Sequence, residues 1–167
     1  MKSMVLVLAA TVAMAQSPVP RPAPEWKFVQ NSGKATALSA YRGRVILLAF
    51  ISTQCGHCQR ASQVFEQLSH EFGTQLQVTE AAFDEGADVA AFGKRFGLTF
   101  PVSRCTGEEA RAFLGIPANG RLGTPQVVVI DRAGVIRAQS ERMGSPILQT
   151  PDYLRGLIKA VIQRGQK

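Results

Sequence analysis

An α/β sandwich, with a mixed central β-sheet flanked by helices, is the fold class that three features of this sequence predict. Val45-Ile46-Leu47-Leu48-Ala49-Phe50-Ile51 is a short, unbroken, β-branched-rich apolar run, the pattern of a strand buried on both faces. Soon after it the period changes: Val64, Phe65, Leu68 and Phe72 fall on one face of a helix that stops at Gly73. Near the end, Gln126–Ile130 and Val135–Gln139 flank the turn residues Asp131-Arg132-Ala133-Gly134, which predicts a hairpin followed by a terminal helix.

Taken in order, the chain opens with Lys2 and an almost wholly apolar run from Met4 that ends in Ala13-Met14-Ala15. That is a small-x-small cleavage pattern after a run too short to span a bilayer, so residues 1–15 are expected to be a secretory leader. From 16 to 24 proline recurs at 18, 20, 22 and 24, which predicts an extended tether of polyproline type. Residues 25–167 then form one domain, a length sufficient for a sizeable core. Glu25 to Val29 is expected as a first strand and Gln30-Asn31-Ser32-Gly33-Lys34 as a turn. Leu76 to Phe83 reads as a strand, and Asp88 to Phe96 as a helix with Val89, Phe92 and Phe96 inward. Glu108 to Leu114 reads as a short helix, and Tyr153 to Arg164 as the terminal amphipathic one. The net charge is +7, but the Lys and Arg residues are scattered and no basic cluster is interleaved with aromatics. A nucleic-acid groove is therefore not expected.

Chemistry concentrates at Cys55-Gly56-His57-Cys58, between the buried strand and the following helix. A helix N-terminus presents unpaired N–H groups and partial positive charge, so a thiolate at Cys55 would be stabilised there and would be the attacking species. Cys58, one turn inward, is placed to resolve a mixed disulfide, and a protonated His57 would further favour the reduced form. Zinc would need two more ligands, and only Cys105, His57 and His70 remain, without a second pair; no metal is expected. A purely structural disulfide gains little from so small a loop. With three cysteines in the chain, at least one stays free within it, and Cys105 is expected as a buried inert thiol.

The strand–CGHC–helix unit, with Gly123-Thr124-Pro125 entering a Val-rich strand, resembles the thioredoxin-like superfamily. More narrowly it is similar to secreted thiol-disulfide oxidoreductases of the TlpA/ResA type. Leu38-Ser39-Ala40-Tyr41-Arg42-Gly43-Arg44-Val45, Phe100-Pro101-Val102 and the stretch from Val129 to Ile136 carry the same likeness. The resemblance implies a thioredoxin-like sandwich in which Cys55 is the nucleophile and Cys58 the resolving cysteine. It also implies that Pro125 is a cis-proline facing the pair, and that Gly56 and the Thr124 backbone contact an extended substrate strand. No cofactor is implied. The implied partners are protein thiols and disulfides and a membrane or periplasmic redox partner, for a monomer in the periplasm of a Gram-negative bacterium.

Three positions depart from the pattern. Gln54 stands where thioredoxins have tryptophan, Ala49 where they have a buried aspartate, and Ala61 where ResA-type reductases have glutamate. The resolving thiol is thus expected to lack a carboxylate base, leaving water or His57. CGHC is also the motif of protein disulfide isomerase, so the direction of electron flow stays open. Two other functions compete. A peroxiredoxin-like peroxidase would want proline where Leu48 stands, although Ser52 sits three residues before Cys55 as that motif asks. A Sco-like copper or zinc carrier would want CxxxC and a distant histidine, and the last histidine here is His70.

Overall fold

The computed structural model describes residues 16–29 and 33–164. The expected leader, 1–15, and the first part of the expected turn, 30–32, lie outside the described residues. The strands are β1 (Arg21–Pro22), β2 (Lys27–Val29), β3 (Ala35–Ala37), β4 (Val45–Ile51), β5 (Leu76–Ala82), β6 (Val102–Arg104), β7 (Gln126–Ile130) and β8 (Val135–Gln139). The α-helices are α1 (Gly56–Phe72), α2 (Val89–Phe96), α3 (Gly107–Leu114) and α4 (Pro151–Arg164). The mixed central sheet with flanking helices is a thioredoxin-like α/β fold, its strands ordered β1-β8-β7-β4-β5-β6. β4, β5 and β6 run parallel, whereas β7 is antiparallel to β4 and β8 to β7. Strands β2 and β3 form a separate two-stranded ribbon.

β4 lies at the centre, and all seven of its side chains are buried. Because successive side chains face opposite ways, they divide between two cores. Val45, Leu47, Ala49 and Ile51 meet Ala61, Phe65 and Leu68 of α1 and Leu154 and Ile158 of α4. Ile46, Leu48 and Phe50 meet Phe28 and, from α3, Ala110, Phe113 and Leu114. In the second core Trp26 stands edge-on to both Phe50 (5.3 Å) and Phe113 (5.7 Å).

The expected tether needs correction. Segment 16–24 is extended, but Arg21–Pro22 is an edge strand paired with Ile136 and Val135 of β8. Ala23 N–H donates to the Gly134 carbonyl (2.9 Å), and the Arg21 guanidinium donates to Phe113 O (2.9 Å) and Gln139 Oε1 (2.8 Å). An edge strand bonds on one side only, so its prolines forfeit no ladder bond. The first strand is shorter than Glu25–Val29 would make it, and Phe96 packs at the rim of the first core while Val89 and Phe92 lie inside it. β6, three residues long, is too short to leave a periodic trace.

Candidate active site

The site begins where β4 ends. Residues 52–55 leave the strand, and Cys55 is the N-cap of α1, with backbone φ −83° and ψ 117°. Asp84, just past β5, fastens this loop: its Oδ1 accepts from Thr53 N–H (2.9 Å) and its Oδ2 from the Thr53 hydroxyl. Gln59, one turn into α1, donates to the Thr53 carbonyl (2.9 Å). Cys55 N–H donates to the Ser52 carbonyl (3.1 Å). Asp84, Thr53 and Gln59 were not among the residues the sequence singled out, because isolated polar residues in a loop leave no spacing signal.

Cys55 is half-buried and Cys58 wholly buried, and both are thiols. Burial pushes the Cys55 thiol up, but hydrogen bonds from Thr124, from the backbone N–H and thiol of Cys58, and from the His57 backbone N–H outweigh it. The net result is a Cys55 thiol below its ordinary value. Cys58 goes the other way: burial, with the Cys55 thiol and its charge beside it, pushes it up to about 12. The two thiols are thereby differentiated into an outer one that ionises readily and an inner one that holds its proton.

His57 contributes its backbone N–H, while its exposed ring lies against Arg60, Nη2 to Nδ1 3.1 Å. Gly56 is the first residue of α1, with room for a Cβ, which would meet only the Arg60 side chain at 3.6 Å. Opposite the cysteines, the Thr124–Pro125 peptide bond is cis, and the Thr124 carbonyl lies 3.9 Å from Cys55 Sγ. This loop is anchored from below by buried Gln126, whose amide Nε2 donates to the carbonyls of Gly123 (2.9 Å), Glu141 (3.0 Å) and Arg142 (3.1 Å). Gly123 has to be glycine, since a Cβ there would fall on the Met143 backbone. The Met143 side chain itself is exposed beside the loop.

Positions 49 and 61 carry no carboxylate, but a buried one reaches the backbone of Cys58 by way of Ser62. It comes from β5. Glu80 pairs in register with Ala49 of β4 and is fully buried. Its Oε1 contacts the Ser62 hydroxyl (2.8 Å), which also contacts the Cys58 carbonyl (2.9 Å), and its Oε2 has no hydrogen-bond partner among the described residues. Leu76 to Ala82 was legible as a strand, but which strand lies beside β4, and in what register, was not.

Cys105 is distant in sequence from the pair and half-buried against the second core. Burial, with the charges of Glu109 and Asp84, raises its thiol to about 12. Among the described residues no group of three or more His, Cys, Asp or Glu side chains is arranged to hold a metal ion.

Comparison with known proteins agrees with this architecture. The model of the AhpC/TSA family matches residues 19–139. Chloroplastic peroxiredoxin Q of Oryza sativa subsp. japonica is 26% identical over 119 residues, which cover 69% of this chain and 55% of that protein. The thiol-disulfide oxidoreductase ResA of Geobacillus kaustophilus is 32% identical over 82 residues, 48% of this chain and 47% of that one. The chain thus spans about half the length of these curated relatives. Among solved structures, a thiol:disulfide interchange protein of the thioredoxin family from Chlorobium tepidum superposes with a TM-score of 0.71 at 23% identity, covering 87% of this chain and 99% of that one.

Proposed function

Given that the chain belongs to the AhpC/TSA family, we propose that it is an extracytoplasmic thiol-disulfide oxidoreductase that exchanges disulfides with protein clients through Cys55 and Cys58. The observation that carries this reading is the differentiation of two thiols on one helical turn. Cys55, at the N-terminus of α1, is lowered, and Cys58 behind it is raised to about 12. The outer sulfur is the one that attacks a client disulfide or is attacked by a client thiolate, and the inner one closes or opens the ring. A client segment would lie extended along the Thr124 backbone next to Pro125. The polar hollow beside the loop, lined by Thr53, Gln54, Asp88 and Arg95 among others, and the exposed Met143 would receive its flanking side chains. The likeness to ResA, with the leader expected over residues 1–15, supports an oxidising, extracytoplasmic location.

The test is the reduction potential of the Cys55–Cys58 couple against glutathione buffers. A two-electron couple is expected. A potential near about −180 mV or above would assign oxidation or shuffling of disulfides, and one near about −270 mV or below would assign reduction. Absence of any couple between these two cysteines overturns the reading.

A second reading, a thiol peroxidase, is favoured by the peroxiredoxin Q relatives. Against it, Leu48 occupies the proline position of that motif and is buried in mid-β4. Stoichiometric peroxide consumption by the reduced protein, lost in Cys55→Ser, would decide for it.

A further inference from the structure

Where arginine lines a hollow of this surface, an acid usually stands in the same lining. Arg42 shares one with Glu25 and Asp131, and Arg95 shares the one beside the cysteine loop with Asp88. Arg132, Arg137 and Arg164 share another with Asp131, whose Oδ2 accepts from Arg137 Nε (2.7 Å). The hollow that adjoins the Thr124–Pro125 loop is different. It measures about 290 Å³ and is lined by Pro117, Asn119, Gly120, Arg121 and Arg142, two cations and no acid. Both arginines are exposed. Among the described residues neither guanidinium takes part in a hydrogen bond or an ion pair. Glu141, next to Arg142 in the chain, does not line the hollow.

The backbone holds this hollow against the reactive pair. Residues 117–120 form a tight turn in which Gly120 N–H donates to the Pro117 carbonyl (2.7 Å). A Cβ on Gly120 would meet Ile116 Cγ2 at 2.7 Å and that carbonyl at 2.9 Å, so the turn closes only around glycine. Arg121 follows, just ahead of Thr124, whose carbonyl lies 3.9 Å from Cys55 Sγ. On the opposite wall Arg142 is fixed by its own carbonyl, which accepts from Gly123 N–H (2.9 Å) and Gln126 Nε2 (3.1 Å). The two guanidiniums thus project from loops that are tied to each other next to the outer sulfur. An extended segment advances about 3.3 Å per residue, so two or three residues span about 7–10 Å. A client lying along Thr124 would bring a side chain at that distance from its cysteine to the level of the arginines. The planar, charged guanidinium is matched best by a carboxylate.

We propose that Arg121 and Arg142 form a carboxylate-selecting subsite, which directs exchange toward client proteins carrying an aspartate or glutamate two or three residues from the reactive cysteine. This rests on the thiol-disulfide reading and names the class of client within it. The arginines meet the client and not the reacting sulfurs, so Cys55 and Cys58 carry out the same exchange whichever client is bound. What the pair changes is which clients reach Cys55. A lysine at the same place in a client would face two like charges, so the subsite turns basic segments away as it draws acidic ones in.

The test uses the reduced full chain and short peptides whose single cysteine carries a 2-thiopyridyl group. The Cys55 thiolate attacks the peptide sulfur and a Cys55–peptide disulfide forms. Pyridine-2-thione leaves with the electron pair of the broken bond, and its absorbance gives the rate. Glutamate, glutamine or lysine is placed two or three residues before or after the cysteine in an otherwise uncharged peptide. On one side of the cysteine the glutamate peptide should react about three- to tenfold faster than the glutamine peptide, the size expected of two exposed ion pairs. The lysine peptide should be slower than either. The preference should vanish in the double variant Arg121→Gln, Arg142→Gln and should turn to favour lysine in Arg121→Glu, Arg142→Glu. A glutamate preference equal on both sides of the cysteine, or one that survives in the double glutamine variant, would report only the net charge of +7 and overturns the proposal. Equal rates for all three peptides overturn it as well, and each of these results leaves exchange itself intact. No thione release above that of Cys55→Ser with any peptide would instead sink the thiol-disulfide reading, and this proposal with it.

Discussion

Helices α1 and α3 lie on opposite faces of the sheet and begin in opposite ways. α3 starts with Thr106, whose hydroxyl accepts from Glu109 N–H (3.1 Å) while the Glu109 carboxylate accepts from Thr106 N–H (2.7 Å). Glu108 and Glu109 also put two acids in its first turn. That is a full capping box, with charges matched to the positive end of the helix. α1 starts with Cys55, has no side-chain cap and has no acid in its first turn. Packing of Cys58, Ala61, Phe65 and Leu68 on the sheet holds α1 in place instead. The unneutralised end is therefore available to a thiolate. Stability that α3 takes from its first turn is, at α1, left for the sulfur to use.

Replacing the sulfur separates these two uses most sharply. Cys55→Ser should lower exchange with an insulin-type disulfide substrate by on the order of 10³ or more, because the nucleophile is gone. The same change installs a good N-cap residue, so chemical denaturation should show α1, and with it the domain, stabilised by about 0.5–1 kcal/mol. Loss of both activity and stability would mean that α1 does not lack a cap in the sense argued here. Cys105→Ser should leave exchange unchanged.

Thiol titration compares the same ends without mutation. Cys55 is lowered, whereas Cys58 and Cys105 are raised to about 12, so the thiolate of Cys55 accumulates at lower pH than either. At pH 8, iodoacetamide should label Cys55 on the order of 10³ times faster than the other two, as read by mass spectrometry of the reduced protein. Labelling of Cys105 at a similar rate would show that position in the fold, and not the helix end, sets reactivity.

How much of this was readable beforehand follows the range of each interaction. β4, α1 and the β7–β8 hairpin declare themselves because burial on both faces, a 3.6-residue period and a short Gly turn are local patterns. The CGHC pair declares itself by spacing. Glu80 did not, since its place beside Ala49 depends on a parallel pairing between strands separated by all of α1. A position-by-position search for a carboxylate at 49 or 61 therefore missed one delivered from a neighbouring strand. Arg21–Pro22 was missed for a related reason: its proline pattern excludes a central strand but says nothing about an edge, and the edge is defined only once β8 exists.

A smaller test adds to α1 what α3 already has. His57→Glu places an acid in the first turn, where it meets the positive end of the helix and lies one turn from Arg60. An interaction of about 0.3–1 kcal/mol should be gained by the fold and lost to the Cys55 thiolate. Labelling of Cys55 at pH 7 should slow about two- to fivefold while the denaturation midpoint rises. A slower rate without added stability would point to the imidazole itself, and not the helix end, as the group that favours the thiolate.

The converse change removes from α3 what α1 lacks. Thr106→Ala takes away the hydroxyl that accepts from Glu109 N–H and leaves the Glu109 carboxylate as half a box. About 1 kcal/mol of stability should be lost, or roughly 2–4 °C in Tm for a domain of this size. Exchange should be unaffected, because α3 packs on the face of the sheet that holds Phe50 and Trp26 while Cys55 and Cys58 belong to the other. If Thr106→Ala slowed exchange as well, the two faces would be coupled through β4, and the α1 end could no longer be treated as tuned by its own first turn alone.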